Sequence, residues 1–301
     1  MGHIITDLKE TFRRGNIFIQ LIYINVSIFI IGTLINVFLQ LFQHSIPDIF
    51  GIFALPASFI RFFHQPWSII TYMFMHAGLL HILFNMLWLY WFGSLFLHFF
   101  SAKHLRGLYI LGGILGGLLY MVAYNVFPLF NQEVAVSTLV GASASVLAIV
   151  AATAYREPNY RVQLFLFGAI RLKYLALVVI GIDVLSITSS NAGGHIAHLG
   201  GALAGLWFAA SLSKGADLTA WINCLLDAFI SLFQTKTWKH KPKMKVHYGG
   251  GTTSREKDYD YNAHKKAQSD EIDRILDKLK KSGYDSLTTE EKKSLFDASK
   301  R

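Results

Sequence analysis

The stretch that decides the fold is Gly78 to Gly93, GLLHILFNMLWLYWFG. It is apolar enough for lipid, yet it holds His81 and Asn85 four residues apart. Helical spacing puts both on one face. A strongly hydrogen-bonding side chain inside a membrane span costs a few kcal/mol and marks a functional candidate. Alone, the pair also fits an ordinary hydrogen bond between two helices.

The rest of the chain fits a membrane reading. Of its 301 residues 53% are hydrophobic and 16% charged, and mean hydropathy is +0.39. Charges are scarce from Asn16 to Ser213 and dense from Lys214 onward. A membrane domain followed by a soluble tail is expected. Apolar runs predict spans at 17–42, 78–98, 105–127, 136–155, 173–189 and 195–213. The fold class is therefore an all-α membrane protein, a bundle of six transmembrane helices plus a small helical soluble tail.

Other classes fit less well. The net charge of +9 does not point to nucleic acid, because the basic residues flank apolar runs and form no patch with stacking aromatics. A single cysteine, Cys224, excludes an intramolecular disulfide framework and a CxxC site. The opening MGHIITDLKETFRRG resembles a signal peptide, but the run from Ile17 to about Phe42 is too long for one. It also lacks a small-residue cleavage site, so a retained helix is expected.

Orientation follows from Lys and Arg. Lys9, Arg13 and Arg14 precede the first span. Lys103 and Arg106 follow the second, and Arg156, Arg161, Arg171 and Lys173 follow the fourth. The opposite loops hold only Arg61. Both termini are expected in the cytoplasm, with loops 43–77, 128–135 and 190–194 outside. Loop 43–77 is too apolar for a solvated loop and is expected to lie in the membrane interface, anchored by Trp67 and Phe side chains.

The chain divides on this reading into a cytoplasmic segment 1–16, a membrane domain 17–213, a juxtamembrane segment and linker 214–268, and a helical tail 269–301. AWINCLLDAFISLFQ (220–234) predicts an amphipathic interfacial helix. TKTWKHKPKMK (235–245) suits anionic headgroups. A Gly/Ser/Thr-rich linker is expected at about 248–268. Two short helices follow, one ending at Gly283 and one opening with the capping-box pattern Thr288-Thr289-Glu290-Glu291. Ile272, Ile275, Leu276 and Leu279 form an apolar face in the first.

Two further polar clusters lie inside the spans, GASAS (141–145) and HIAHLGGALAG (195–205). At a rise of about 1.5 Å per residue, Asn85 and Ser143 fall about 10 Å from the outer ends of their spans and His198 about 5 Å. A serine hydroxyl needs a base within hydrogen-bond reach. His198 is suited to that role, and later to protonating a leaving amine. His81, the Asn85 amide and the Ser143 backbone N–H are candidate donors to an oxyanion. Gly201 and Gly205, with the small residues around Ser143, allow helices four and six to approach. Singly, each feature also fits plain helix packing. No HExxH or acidic partner stands at metal-site spacing.

HAGLLHILFN, GASAS and AHLGGALAG, in that order, resemble the rhomboid intramembrane serine proteases. The resemblance covers about 17–213. It aligns the family's nucleophile motif with Gly141, Ala142, Ser143 and Ala144, its histidine with His198, Gly201 and Gly205, and its HxxxN with His81 and Asn85. His195 is not the matching histidine. The resemblance implies cleavage of membrane-anchored protein substrates in or near a transmembrane segment, by a Ser–His dyad without a required acid. It implies no metal and no cofactor. The bacterial type, with six helices and a C-terminal extension, implies a bacterial plasma membrane.

The chain departs from that pattern in places. Ala144 replaces a glycine, and Leu147 a tyrosine that stacks on the histidine. Trp67-Ser68 replaces a Trp-Arg pair, and Leu97 a glutamate. Asp183 in the fifth span is unexplained by the motif, as an orienter of His198 or as a plain interhelical partner. A non-catalytic relative that binds transmembrane segments, as chaperone or targeting factor, is the alternative reading. A transporter would place polar groups near the midplane, whereas these cluster toward one side.

Overall fold

The computed structural model describes residues 15–42, 49–164, 168–233 and 252–299. The chain forms two compact units, Met1–Thr235 and Lys236–Arg301. The described residues of the first include helices α1 (Ile17–Leu41), α2 (Leu79–Phe96), α3 (Ala102–Val126), α4 (Ser143–Arg156), α5 (Leu172–Leu185) and α6 (Ala192–Leu212). Each expected span thus contains a helix, and the molecule is an all-α, multi-pass membrane bundle. Helices α1, α2, α3 and α6 are long and apolar enough to cross a membrane. Helices α4 and α5 have 14 residues each, about 21 Å of helix.

Helix α4 is the centre. Every residue from Ala144 to Ala154 is buried, and the segment is built of Ala, Val, Ile, Leu, Ser and Thr. Small side chains let its neighbours come close on several sides. Gly112 and Gly116 of α3 and Gly201 and Gly205 of α6 all lie against Ala144 or Ala148. In lipid such close packing stands in for the hydrophobic drive that helices lack there. Helices α1 and α5 are peripheral. Helix α1 buries only Phe18, Leu21 and Asn25. The Asn25 amide donates to the Tyr109 hydroxyl at 3.1 Å, and that hydroxyl donates to the Met73 carbonyl at 3.1 Å, which ties α1, α3 and the first loop together.

The fourth span begins later than expected. Residues 136–142 are not helical, and α4 opens at Ser143. Two facts explain the shift. Gly141 takes φ 128°, which a helix does not tolerate. Strand β2 (Thr138–Leu139) pairs antiparallel with β1 (Leu55–Pro56). Ser143 therefore stands at the mouth of a short helix that starts well inside the bundle, not seven residues along a long one.

The first loop is ordered into short helices, Ile49–Phe53, Phe59–His64 and Ser68–Thr71, with a 3-10 turn at Tyr72–Phe74. Ala54, Leu55 and Ala57 are buried, while Ile60, Phe63 and Trp67 are exposed. That split matches a loop with one apolar face toward lipid. Its other face is stapled to the end of α3 and to the segment before α4. Arg61 donates to the Ala135 carbonyl at 2.9 Å, Asn125 to the Ala57 carbonyl at 2.8 Å, and the Gly141 N–H to the Tyr72 carbonyl at 3.0 Å.

One further difference from expectation concerns a connection. The link between α4 and α5 is an antiparallel hairpin of β3 (Arg161–Leu164) and β4 (Gly168–Arg171); alternation in RVQL and GAIR is a weak signal beside the long apolar runs. The expected amphipathic helix is present as α7 (Ala220–Phe233). It is fastened to α3 by Arg106, which donates to Asn223 at 2.9 Å and pairs with Asp227 at 2.8 Å. Trp221, Leu225 and Leu232 on α7 are exposed.

The second unit contains α8 (Thr252–Ser282) and α9 (Thr289–Ser299). Helix α8 takes up most of the linker expected at about 248–268, because after Gly251 the sequence has no Gly or Pro until Gly283 and breaks nowhere. The expected capping box is present: the Glu291 N–H donates to the Thr288 hydroxyl and the Thr288 N–H to the Glu291 carboxylate. Ile275 and Leu287 are buried in this unit. Residues 248–251 and the basic run 235–245 lie outside the described residues, as do Lys9, Arg13 and Arg14.

Candidate active site

Ser143 is the first residue of α4, and His198 is one-third of the way along α6. Their approach depends on α6 having no side chains where it meets α4. A Cβ on Gly201 would fall on the Ala144 carbonyl, and one on Gly205 on the Ala148 carbonyl. With those contacts open, His198 Nε2 comes to 2.6 Å from Ser143 Oγ. The second serine of GASAS, Ser145, is buried and faces the Met73 sulfur at 3.9 Å. His195 makes no bond to either serine.

His198 is held from behind. Its Nδ1 lies 2.8 Å from Asp183 Oδ1, and His195 Nδ1 lies 2.8 Å from the same oxygen. Asp183 is 3% exposed, on α5. The donor atoms of Asp183, His195 and His198 lie within 4.8 Å of one another, close enough for one cation. Both imidazole contacts have hydrogen-bond lengths, and each uses the one carboxylate oxygen.

Across from Ser143, α2 supplies His81 and Asn85. The Ala77 N–H donates to His81 Nδ1 at 3.3 Å. A backbone N–H needs an acceptor, so the ring proton is on Nε2. That nitrogen faces Gly141 beside Ser143: a Cβ on Gly141 would stand 2.8 Å from it and 3.7 Å from Ser143 Oγ. Asn85 is buried and donates one amide hydrogen to the His81 carbonyl at 2.9 Å, which leaves a second. The Ser143 N–H lies in the first turn of α4, where N–H groups have no acceptor within their helix.

These groups surround a cavity of about 400 Å³, lined among others by His81, Asn85, Ser143, Leu147, Val179 and His198. Leu80, Phe84 and Trp88 of α2 also line it. Leu147 leaves no aromatic ring to stack on His198. The structure thus brings together Ser143, His198, His81 and Asn85, while Gly141, Ala142, Ala144, Gly201 and Gly205 set the spacing. Sequence reasoning left Asp183 open and set His195 aside; both sit directly behind His198. The usable signal was that Asp183 is the sole acidic residue inside the six expected spans.

Comparison with known proteins decides the family. The rhomboid domain matches residues 64–215. This chain belongs to the rhomboid family. Residues 255–301 match a second family, one of unknown function. A rhomboid relative, RHOMBOID-like protein 12, mitochondrial, of Arabidopsis thaliana, is 29% identical over 157 residues, 49% of this chain and 47% of that protein. The chain therefore spans about half the length of the curated relative it matches.

Proposed function

We propose that this rhomboid is an intramembrane serine endopeptidase that cleaves membrane-anchored proteins in or near a transmembrane segment. The observation that carries the reading is the 2.6 Å contact of Ser143 Oγ with His198 Nε2, opposite His81 and Asn85 across one cavity. His198 accepts the Ser143 proton as Oγ attacks the scissile carbonyl carbon. The carbonyl oxygen takes the negative charge and accepts hydrogen bonds from His81 Nε2–H, Asn85 Nδ2–H and the Ser143 N–H. The C–N bond then breaks, and the proton on His198 passes to the leaving amine. Water attacks the acyl-serine next, giving its proton to His198, and the ester bond to Ser143 Oγ breaks as His198 returns the proton.

The substrate helix enters laterally between α2 and α5, and the cavity walls there are apolar. Lys103 and Arg106 at the start of α3, and the basic residues between α4 and α5, favour both termini on the cytoplasmic side. A bacterial plasma membrane is the setting the six-helix type implies. No cofactor enters the scheme. The membrane domain at 17–213 carries the chemistry, and the tail at 269–301 is a separate attachment.

Labelling tests the reading. Purified protein is treated with a serine-reactive fluorophosphonate, wild type beside Ser143→Ala, and given a membrane-anchored reporter substrate. Wild type is labelled and cuts; Ser143→Ala does neither. An unlabelled wild type that leaves the reporter intact would overturn the protease reading in favour of its rival, a non-catalytic rhomboid that binds transmembrane segments. His198→Ala is expected to abolish cleavage, and retained cutting would transfer the base role to His195.

A further inference from the structure

Resting on the protease reading above, we propose that Asp183 is a positioning residue for catalysis, which extends the Ser143–His198 pair to a three-membered chain with His195 bracing the carboxylate.

A carboxylate buried in a membrane bundle needs partners. Among the described residues the partners of Asp183 are two imidazoles and no Lys or Arg. Both bonds fall on Oδ1 at 2.8 Å, while Oδ2 is buried without a partner. An ionised carboxylate only accepts hydrogen bonds, so each histidine presents Nδ1–H to it. For His198 this has a chemical consequence. With the proton on Nδ1, Nε2 carries the lone pair, and Nε2 is the atom 2.6 Å from Ser143 Oγ. Asp183 thereby selects the tautomer that general-base chemistry needs and stabilises the imidazolium that forms.

Ring orientation supports the same role. Leu147 supplies no aromatic face for His198. The ring that touches it is that of His195, edge to face at 5.9 Å and 82°, one helical turn away on α6. His195 approaches the carboxylate beside His198, so it fixes the Asp183 rotamer without reaching Ser143. The titratable groups facing His198 are Asp183 from α5, His195 from α6 and His81 from α2 across the cavity; α4 contributes Ser143.

The test uses the full-length protein in detergent, with wild type, Asp183→Asn, Asp183→Glu, His195→Phe and Ser143→Ala. Phosphonate labelling rate and steady-state cleavage are followed from acid to alkaline pH. Asp183→Asn is expected to lower kcat about 100-fold or more with KM little changed. Asp183→Glu restores at least about tenfold over Asn, whereas a role in packing alone makes the longer side chain worse. His195→Phe lowers kcat with KM little changed, because the carboxylate loses its brace. Chelator leaves the wild type unaffected.

Wild-type kcat in Asp183→Asn would overturn the proposal, as would Glu worse than Asn or loss of activity with chelator. If Asp183→Asn does not fold, a wild-type kcat in His195→Phe overturns it. A wild type that neither labels nor cuts would instead sink the protease reading itself.

Discussion

Gly201 of α6 lies so close to Ala144 of α4 that a Cβ on the glycine would fall on the Ala144 carbonyl. Ser143 precedes that alanine and His198 lies three residues before that glycine. The distance between serine and base is therefore set by the absence of one methyl group. Gly201→Ala is expected to wedge α6 from α4, at about 1–3 kcal/mol of destabilisation for overpacking. It should also slow phosphonate labelling at least about tenfold, since about 1 Å of misplacement is enough for losses of that order or more. Thermal unfolding with parallel labelling checks both. An unchanged labelling rate in a destabilised protein would separate packing from catalysis and refute the link.

Asn85→Ala should leave the fold in place and slow turnover about 10- to 1000-fold. Its amide lines the cavity, and the bond it loses is to the His81 carbonyl of its own helix. Labelling rate and kcat are the readouts, with KM little changed. An unchanged kcat would remove Asn85 from the oxyanion site and leave it a side chain bonded back to its own helix.

Much of this was readable in the sequence because membrane helices leave few places for polar groups. His81, Asn85, Ser143 and His198 stand out against apolar surroundings, and the glycines after His198 announce a close helix contact. What failed was depth. Counting Ser143 down from residue 136 assumed a helix where Gly141 and the β1–β2 pairing make a turn, and a count of residues does not register a positive φ. Asp183 was visible as a lone acid but not assignable. Its partners are 12 and 15 residues away on another helix, and only the crossing of α5 over α6 brings them together. Leu147 marked the absence of a ring; it did not say what replaced it. The β3–β4 hairpin was missed because four-residue alternation is weaker than the apolar runs beside it.

Asn125→Ala tests the staple on the first loop. The Asn125 amide bridges the Ala57 carbonyl and its own helix at Met121, both at 2.8 Å. Losing a bond of this kind costs about 1 kcal/mol. The expected result is a modest fall in melting temperature and faster proteolysis in the first loop, with kcat within about threefold of wild type. Arg61→Ala should do less, because that side chain's bond to Ala135 is exposed. Equal effects from both would show that the loop is held mainly by its buried β1 residues.

The tail unit carries its own pH dependence. Glu291 is held below the usual carboxylate range, first by its hydrogen bond to Lys278 and then by the Thr288 N–H. The Lys278 ammonium lies 2.8 Å from its carboxylate. A carboxyl group depressed in the folded state adds stability above its unfolded value, and that stability is lost as pH falls through the folded value. The contact between α8 and the start of α9 should therefore hold at neutral pH and loosen in the acid range below the ordinary glutamate value. Hydrogen exchange of residues 287–295 in the full-length protein, neutral against acid, reads this directly. Glu291→Gln should bring the acid-like exchange to neutral pH and flatten the dependence. A Gln variant with wild-type protection at neutral pH would show that Leu287 burial, not the carboxylate, fixes α9.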